Sequence, residues 1–386
     1  MRKIFYLGYY DLPDGKTDVV LAATNKMRYI IDVLADSGYG VEIISASTNK
    51  RGEKYIGGTR QVRDGVCLTT FSSNFGKNRF ARVVKRRIFF NRLKSYLKKQ
   101  VAEGDTVLIY HSLGYYKLYK WLMTQLKANV ILEAEEIYTD VGKTRFVTRE
   151  KEERALSYAN AYIFPTRLLD EKVNKAHKPS VIIHGTYGVE ADRECKFDNA
   201  EFHEQDKRTI HCVYAGTFDP RKGGAIAAAA AAEYLPSNYH VHILGFGSGV
   251  EIQNMKDAIA DISSRSKAKL TYDGLLSGED YIRFIQSCDI GLSTQNPDAA
   301  FNATSFPSKI LSYMANGLRV VSIRIPAIED SAIGKYMYYY DTQTPEEIAR
   351  AIMTVDVVDD HDGRKIISQL DAGFRSELVK LLEVRT

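Results

Sequence analysis

Thr304-Ser305-Phe306-Pro307-Ser308-Lys309-Ile310-Leu311-Ser312-Tyr313-Met314-Ala315-Asn316-Gly317-Leu318-Arg319-Val320-Val321 reads as a helix start, a helix, a stop and a strand. Thr304 or Ser305 is the expected cap, Pro307 suits a first turn whose N–H has no partner anyway, and Gly317 closes the helix. The predicted helix is therefore 307–316, followed at once by a strand at 319–323. A helix handed directly to a β-branched strand is half of an α/β repeat.

The same alternation runs outward from this stretch. Before it come a strand at 210–215, a helix at 224–233, a strand at 240–244, a helix at 252–263, a strand at 269–272, a helix at 279–286 and a strand at 290–293; helices at 345–353 and 366–382 follow it. The first half opens with a strand at 4–7, a helix at 21–34 and a strand at 41–45. It continues with strands at 107–110, 130–132, 161–164 and 181–184, separated by helical patterns at 115–126, 149–158 and 168–174. Strands spaced by helices imply parallel sheets covered on both faces. The fold class expected is α/β, with two Rossmann-like doubly wound domains facing a cleft.

A charged, aperiodic stretch at 188–208 marks the break in a chain of 386 residues. The expected domains are 1–190 and 205–360, with a final helix in 361–386 packing back on the first domain. Hydrophobic residues make up 45% and charged residues 26%, which excludes disordered and membrane-spanning classes. The run Ala225–Ala232 is far shorter than the ~20 residues a membrane helix needs. Cys67, Cys195, Cys212 and Cys288 form no C-x-x-C pair, which argues against a zinc cluster or disulfide framework and for a reducing cytoplasm.

Charge divides unevenly. Residues 1–200 hold 34 Lys+Arg against 23 Asp+Glu, a surplus of 11, whereas residues 201–386 hold 19 against 25, a deficit of 6. Residues 76–100 carry ten basic side chains and no acidic one, with Phe80, Val83, Val84, Ile88, Phe89, Leu93 and Leu97 at roughly helical spacing. Such a helix suits an anionic surface, each cation near it adding about 1 kcal/mol. A helix covering its own sheet and nucleic-acid binding are the other readings of the pattern.

The helix start before Lys309 is a natural diphosphate site, because terminal N–H groups and a partial positive charge point at the ligand. Val213-Tyr214-Ala215-Gly216-Thr217-Phe218-Asp219-Pro220-Arg221-Lys222-Gly223-Gly224 adds a strand, a glycine turn and two cations that phosphate oxygens favour. Gly245-Phe246-Gly247-Ser248-Gly249 is a weak dinucleotide signal, since position 250 is Val rather than Gly and the motif follows a second strand.

These segments, with Leu270-Thr-Tyr-Asp-Gly274-Leu275 and Tyr281 to Gly291, resemble in order and spacing the retaining family-4 glycosyltransferases of the GT-B fold. The resemblance covers residues 210–330 best. It implies a metal-independent, cofactor-free transferase that moves a sugar from a nucleotide-diphosphate sugar, a UDP- or GDP-sugar, to a glycan or lipid-linked acceptor in cell-surface polysaccharide assembly. His111, Lys222 and Lys309 would be catalytic. Gly216, Thr217, Arg221, Gly245, Gly274, Leu275, Thr304, Ser305, Phe306, Pro307, Ser308 and Ser312 would bind donor. Gly15, Lys16, Glu135 and Tyr138 would bind acceptor. The family's Glu-x7-Glu pair falls here on Thr304 and Ser312, and Arg221 stands in for an arginine usually found just after the first glycine. Lipid-linked acceptors select the membrane reading for 76–100, giving a cytoplasmic enzyme peripheral to the inner membrane face and no nucleic-acid partner.

No metal is expected, because Asp360-His361-Asp362 sits in a charged loop rather than at a strand end. Two rival readings are a nucleotide-sugar epimerase of the same fold and a non-catalytic nucleotide-sugar-binding protein.

Overall fold

The computed structural model describes residues 2–10, 12, 21–47, 54–73, 79–140, 147–193, 208–219, 224–299, 302, 304–358 and 362–383. The chain divides into two compact units, one of residues 1–186 with 373–386 and one of residues 187–372. Among the described residues the first unit runs β1 (Lys3–Gly8), α1 (Leu21–Asp36), β2 (Gly40–Ser45), β3 (Thr59–Arg63), β4 (Val66–Thr70), α2 (Arg79–Gln100) and β5 (Thr106–Tyr110). It continues with α3 (Tyr116–Gln125), β6 (Asn129–Glu133), α4 (Arg149–Leu156), β7 (Ala161–Phe164), α5 (Arg167–Val173) and β8 (Ser180–Ile182).

Its strands form one sheet in the order β3-β4-β2-β1-β5-β6-β7-β8, so the order reverses between β1 and β5. All pairings are parallel except β3 with β4. That hairpin was not anticipated, although Asp64-Gly65 between two short runs signals it, and Gly65 takes φ 68°, a left-handed conformation that glycine adopts without strain. Alternation along β1 sends Phe5 and Leu7 to one face, where they pack with Phe89, Leu93 and Leu97 of α2 and with Tyr119 and Leu122 of α3. Each such side chain contributes about 1.5–3 kcal/mol by leaving water. Ile4 and Tyr6 point to the face covered by α1, whose Ala23, Met27, Ile30, Ile31 and Leu34 are buried at helical spacing.

Helix α2 splits the apolar set expected on one face. Phe89, Leu93 and Leu97 are core, whereas Val83, Val84 and Ile88, one turn apart on another side, are exposed. No helix among the described residues is long and apolar enough to cross a membrane.

The second unit runs β9 (Ile210–Thr217), α6 (Gly224–Ala230), β10 (Tyr239–Phe246), α7 (Gly249–Ser263), β11 (Lys269–Gly274), α8 (Gly278–Gln286), β12 (Ile290–Ser293) and α9 (Lys309–Ala315). After these come β13 (Arg319–Ile323), α10 (Pro326–Glu329), β14 (Tyr338–Tyr340), α11 (Pro345–Met353) and α12 (Gly363–Glu383). The sheet is parallel throughout, in the order β11-β10-β9-β12-β13-β14, and its switch point lies between β9 and β12. The last turns of α12 belong to the first unit, where Phe374 stacks on Tyr29 at 5.8 Å and Arg375 pairs with Asp36 at 3.1 Å.

Candidate functional site

In the second unit the carboxyl ends of β9, β10 and β11 lie side by side, with Gly216 opposite Gly245 and Leu244 opposite Gly274. Gly245 and Gly216 meet so closely that a Cβ on Gly245 would stand 1.9 Å from the Gly216 carbonyl oxygen. The glycine run at 245–249 thus serves strand approach and helix entry. Ser248 caps α7 in a capping box with Glu251, and no dinucleotide fingerprint is formed. Gly274 takes φ 82° and turns the chain so that Leu275 is exposed beyond the strand end.

Helix α9 stands over the switch point because Tyr313 wedges it there. The Tyr313 hydroxyl accepts from the Ala215 N–H at 2.8 Å, and the ring fills the space above Gly291, where a Cβ would come within 2.3 Å of it. Lys309, the first residue of α9, then reaches the end of β9. Its ammonium lies 4.1 Å from the centroid of the Tyr214 ring and 3.4 Å from where a Cβ of Gly216 would be. Burial pushes the Lys309 pKa down to about 8. An amine so desolvated gains more from an incoming anion than a solvated surface lysine does.

Tyr214 also donates to the Thr217 carbonyl at 3.0 Å and packs under Gly224, while Thr294 beyond β12 donates to the Gly224 carbonyl at 2.6 Å. Tyr214, Tyr313 and Thr294 thereby position the site. Nothing local in the sequence distinguishes these tyrosines from ordinary core residues.

The helix start differs from expectation. Ser308 occupies the N-cap position and Pro307 precedes it, its carbonyl accepting from the Ile310 N–H at 3.1 Å. Thr304 and Phe306 are buried, so neither Thr304 nor Ser305 caps α9; the turn that Pro307 begins moves the helix start two residues along. Ser308 is exposed beside Lys309, where a helix's first amides lack partners inside it. Ser312 is half-buried and bonds Tyr281, whose pKa is raised by burial against that hydrogen bond. Arg221 and Lys222 lie outside the described residues, as do Gly15 and Lys16.

In the first unit His111 directly follows β5 at the other switch point. This residue, which the resemblance makes catalytic, is packed within its own unit and only 2% exposed. Its ring lies tilted against that of Tyr138 at 4.8 Å, the Tyr138 hydroxyl donates to its carbonyl at 3.1 Å, and Glu152 of α4 lies 3.9 Å from Nε2. Burial pushes its pKa down to about 3, so the imidazole is neutral near pH 7. Glu152, itself buried, accepts from the Tyr138 and Thr139 N–H groups at 2.8 and 2.9 Å and holds this loop.

Glu135 is an ion-pair partner of the buried Lys26 at 3.4 Å rather than an open carboxylate. Beside it Glu133 is fully buried and hydrogen-bonded by Tyr6. Burial, with Glu135 nearby, raises the Glu133 pKa to about 8. The folded state therefore binds this proton more tightly than the unfolded chain, and stability falls as pH rises from the usual carboxylate range to about 8. Glu133→Gln should remove that slope: melting temperatures from pH 5 to 8 should decline less in the variant. Parallel curves would contradict the protonated state.

The geometry of the second unit agrees with what comparison finds. Residues 209–355 match the model of the family described as Glycosyl transferases group 1. No curated protein matches the sequence. Among solved structures, the E. coli protein described as "Trehalose-6-phosphate" bound with UDP-2-fluoro glucose is similar over 99% of both chains, at 11% identity and TM-score 0.69. Sucrose-phosphate synthase from Thermosynechococcus elongatus is similar over 99% of this chain and 98% of its own, at 14% identity and TM-score 0.68. A UDP-forming trehalose-phosphate synthase from Burkholderia xenovorans is similar over 99% of both, at 11% identity and TM-score 0.68. These likenesses establish the fold, and the family match carries the activity. Residues 209–355 are thus similar to the group 1 glycosyl transferases within a chain of GT-B fold, and the protein is a glycosyltransferase.

Proposed function

We propose that the enzyme transfers a sugar, with retention and without a metal, from a nucleotide-diphosphate sugar to a glycan or lipid-linked acceptor in cell-surface polysaccharide assembly. The observation that carries this reading is the desolvated Lys309 ammonium beside Gly216, at the carboxyl end of β9 where the strand order reverses. Leaving-group departure builds charge on the diphosphate, and preorganised cations stabilise charge that develops. Lys309, the Ser308 helix start, and Lys222 with Arg221 are the groups for that role. Gly274 and Leu275 are assigned to the base, and Ser312 with Tyr281 to the ribose in place of a carboxylate. In the first unit, Gly15, Lys16, Glu135 and Tyr138 are assigned to the acceptor. His111 is assigned a neutral hydrogen-bonding role. A UDP sugar is bound by one structural neighbour and heads the donor choices, ahead of GDP sugars.

A melting-temperature screen across nucleoside diphosphates and their sugars tests the reading, since a ligand of the folded state raises the midpoint. A shift with one base, followed by transfer to an acceptor, supports it. Epimerised donor without any acceptor would replace it with an epimerase. Binding without turnover would leave a sugar-nucleotide-binding protein.

Exposed Val83, Val84 and Ile88 beside Arg86 and Arg87 support a membrane-facing role for α2. A groove of about 350 Å³ next to them is lined by Lys54, Tyr55, Ser72, Lys85, Ile88 and Arg92. Arg86→Glu with Arg87→Glu should cut sedimentation with anionic vesicles at least tenfold, given about 1 kcal/mol for each cation lost and a repulsion for each anion gained. Equal sedimentation of both proteins would remove the membrane from the proposal.

A further inference from the structure

Three histidines of the second unit stand together on one face of its sheet, away from the donor end. His211 is the second residue of β9, and His240 and His242 are two apart on β10, so alternation puts both on the same face, with His240 in register with His211. One ring nitrogen from each of the three lies within 4.8 Å of the others. His211 Nδ1 and His242 Nε2 are 3.0 Å apart. A tetrahedral ion with nitrogens at about 2.0–2.1 Å sets them roughly 3.3 Å from one another, so small side-chain rotations suffice.

The surroundings are those of a ligand set. His242 Nδ1 is 3.1 Å from Asp273 Oδ2 on β11, and Thr271 donates to the same carboxylate oxygen at 2.8 Å. A carboxylate on one ring nitrogen fixes the tautomer and aims the other nitrogen, as outer partners do for metal-bound histidines. His240 Nε2 is held by Thr271 Oγ1 at 2.9 Å. Phe284 closes one side, edge-on to His242 at 5.2 Å, while half-exposed His211 leaves a way in. Of the nearby cations, Arg208 is paired with Asp289, and Lys269 is exposed.

We propose that His211, His240 and His242 bind a late first-row divalent cation of the zinc class, oriented by Asp273, and that this ion ties β9 to β10. Imidazole nitrogens select such ions over magnesium or calcium. The cluster sits five residues before Gly216 on β9, roughly 16 Å along the strand, so the ion is structural and takes no part in transfer. The signal in the sequence was His240-Val241-His242, which gains its meaning only when β9 brings His211 alongside.

The test uses untagged full-length protein, stripped by chelator and titrated with Zn2+ in a calorimeter. The expected result is one ion per chain and a raised melting temperature. Asp273→Asn should weaken binding 10–100-fold, and His211→Ala should abolish it. His211 is partly exposed near a strand start, so this variant is expected to fold, which circular dichroism checks. Two results overturn the proposal: neither heat nor a melting shift at about 0.1 mM Zn2+, a concentration that would reveal any site of useful affinity; or unchanged stoichiometry and affinity in both folded variants, which would put the ion elsewhere.

Discussion

Replacing Lys309 by Ala is expected to lower kcat/KM for the nucleotide sugar by about 100- to 1000-fold, the usual loss when one preorganised group at a developing charge is removed. Nucleoside diphosphate affinity should fall by roughly tenfold or more, because a charge-assisted hydrogen bond contributes about 1.5–3 kcal/mol. The ligand-free melting temperature should not fall with it. Burial already disfavours the charged ammonium, so its removal relieves a desolvation cost while losing only the contact with Tyr214. Activity and stability then move apart, as they do where a strained group serves function.

The pH dependence follows from the same burial. Free enzyme loses the Lys309 proton as pH rises through about 8, so diphosphate affinity should decline above that point, and the variant should lack the decline. Stability has the opposite trend. The unfolded chain holds this proton up to the ordinary lysine value of 10.5, so between about 8 and 10.5 stability rises with pH. Calorimetry giving the same diphosphate affinity for both proteins would take Lys309 out of the site.

Gly245→Ala is expected to destabilise the second unit by about 2–3 kcal/mol, at the upper end of typical overpacking costs. The added methyl would meet the Gly216 carbonyl oxygen at 1.9 Å and the Phe218 ring at 2.7 Å. The first obstacle is backbone, so no rotamer change relieves it; β9 and β10 must part where they are in register. A unit of this size should lose about 5–10 °C in melting temperature. Donor affinity should drop as well, because the displaced segment is the one that meets Lys309. Gly249→Ala is the control. Nothing lies within 4 Å of a Cβ there, and it opens α7, where Ala is the better helix former. Equal midpoints for the two variants would show that close approach at Gly245 has no energetic weight.

Much of the fold was legible because periodicity reports which face of an element leaves water. The runs at 4–7, 107–110, 210–215 and 319–323 are short, mostly apolar and rich in β-branched or aromatic residues, as buried parallel strands tend to be, and each lies on an observed strand. The weaker elements escaped. Thr59–Arg63 is mostly exposed, with a polar pattern, and Tyr338–Tyr340 is a three-residue edge strand; neither carries enough apolar signal to stand out. The start of α9 was misread by two residues because Thr304 is a good cap in isolation. Tertiary burial uses that side chain elsewhere.

By itself the sequence determined the two doubly wound domains, the glycines at the strand ends and the lysine that opens α9, because these depend on local pattern and short spacing. Tertiary structure alone decided the rest. It seated Lys309 against Tyr214, 95 residues away in the chain, and so turned an ordinary lysine into a desolvated one. It buried His111 behind Tyr138 and Glu152, paired Glu135 with Lys26, and assembled three histidines from two strands. Charge state and exposure depend on which distant groups displace water around a side chain, and no local window contains that information.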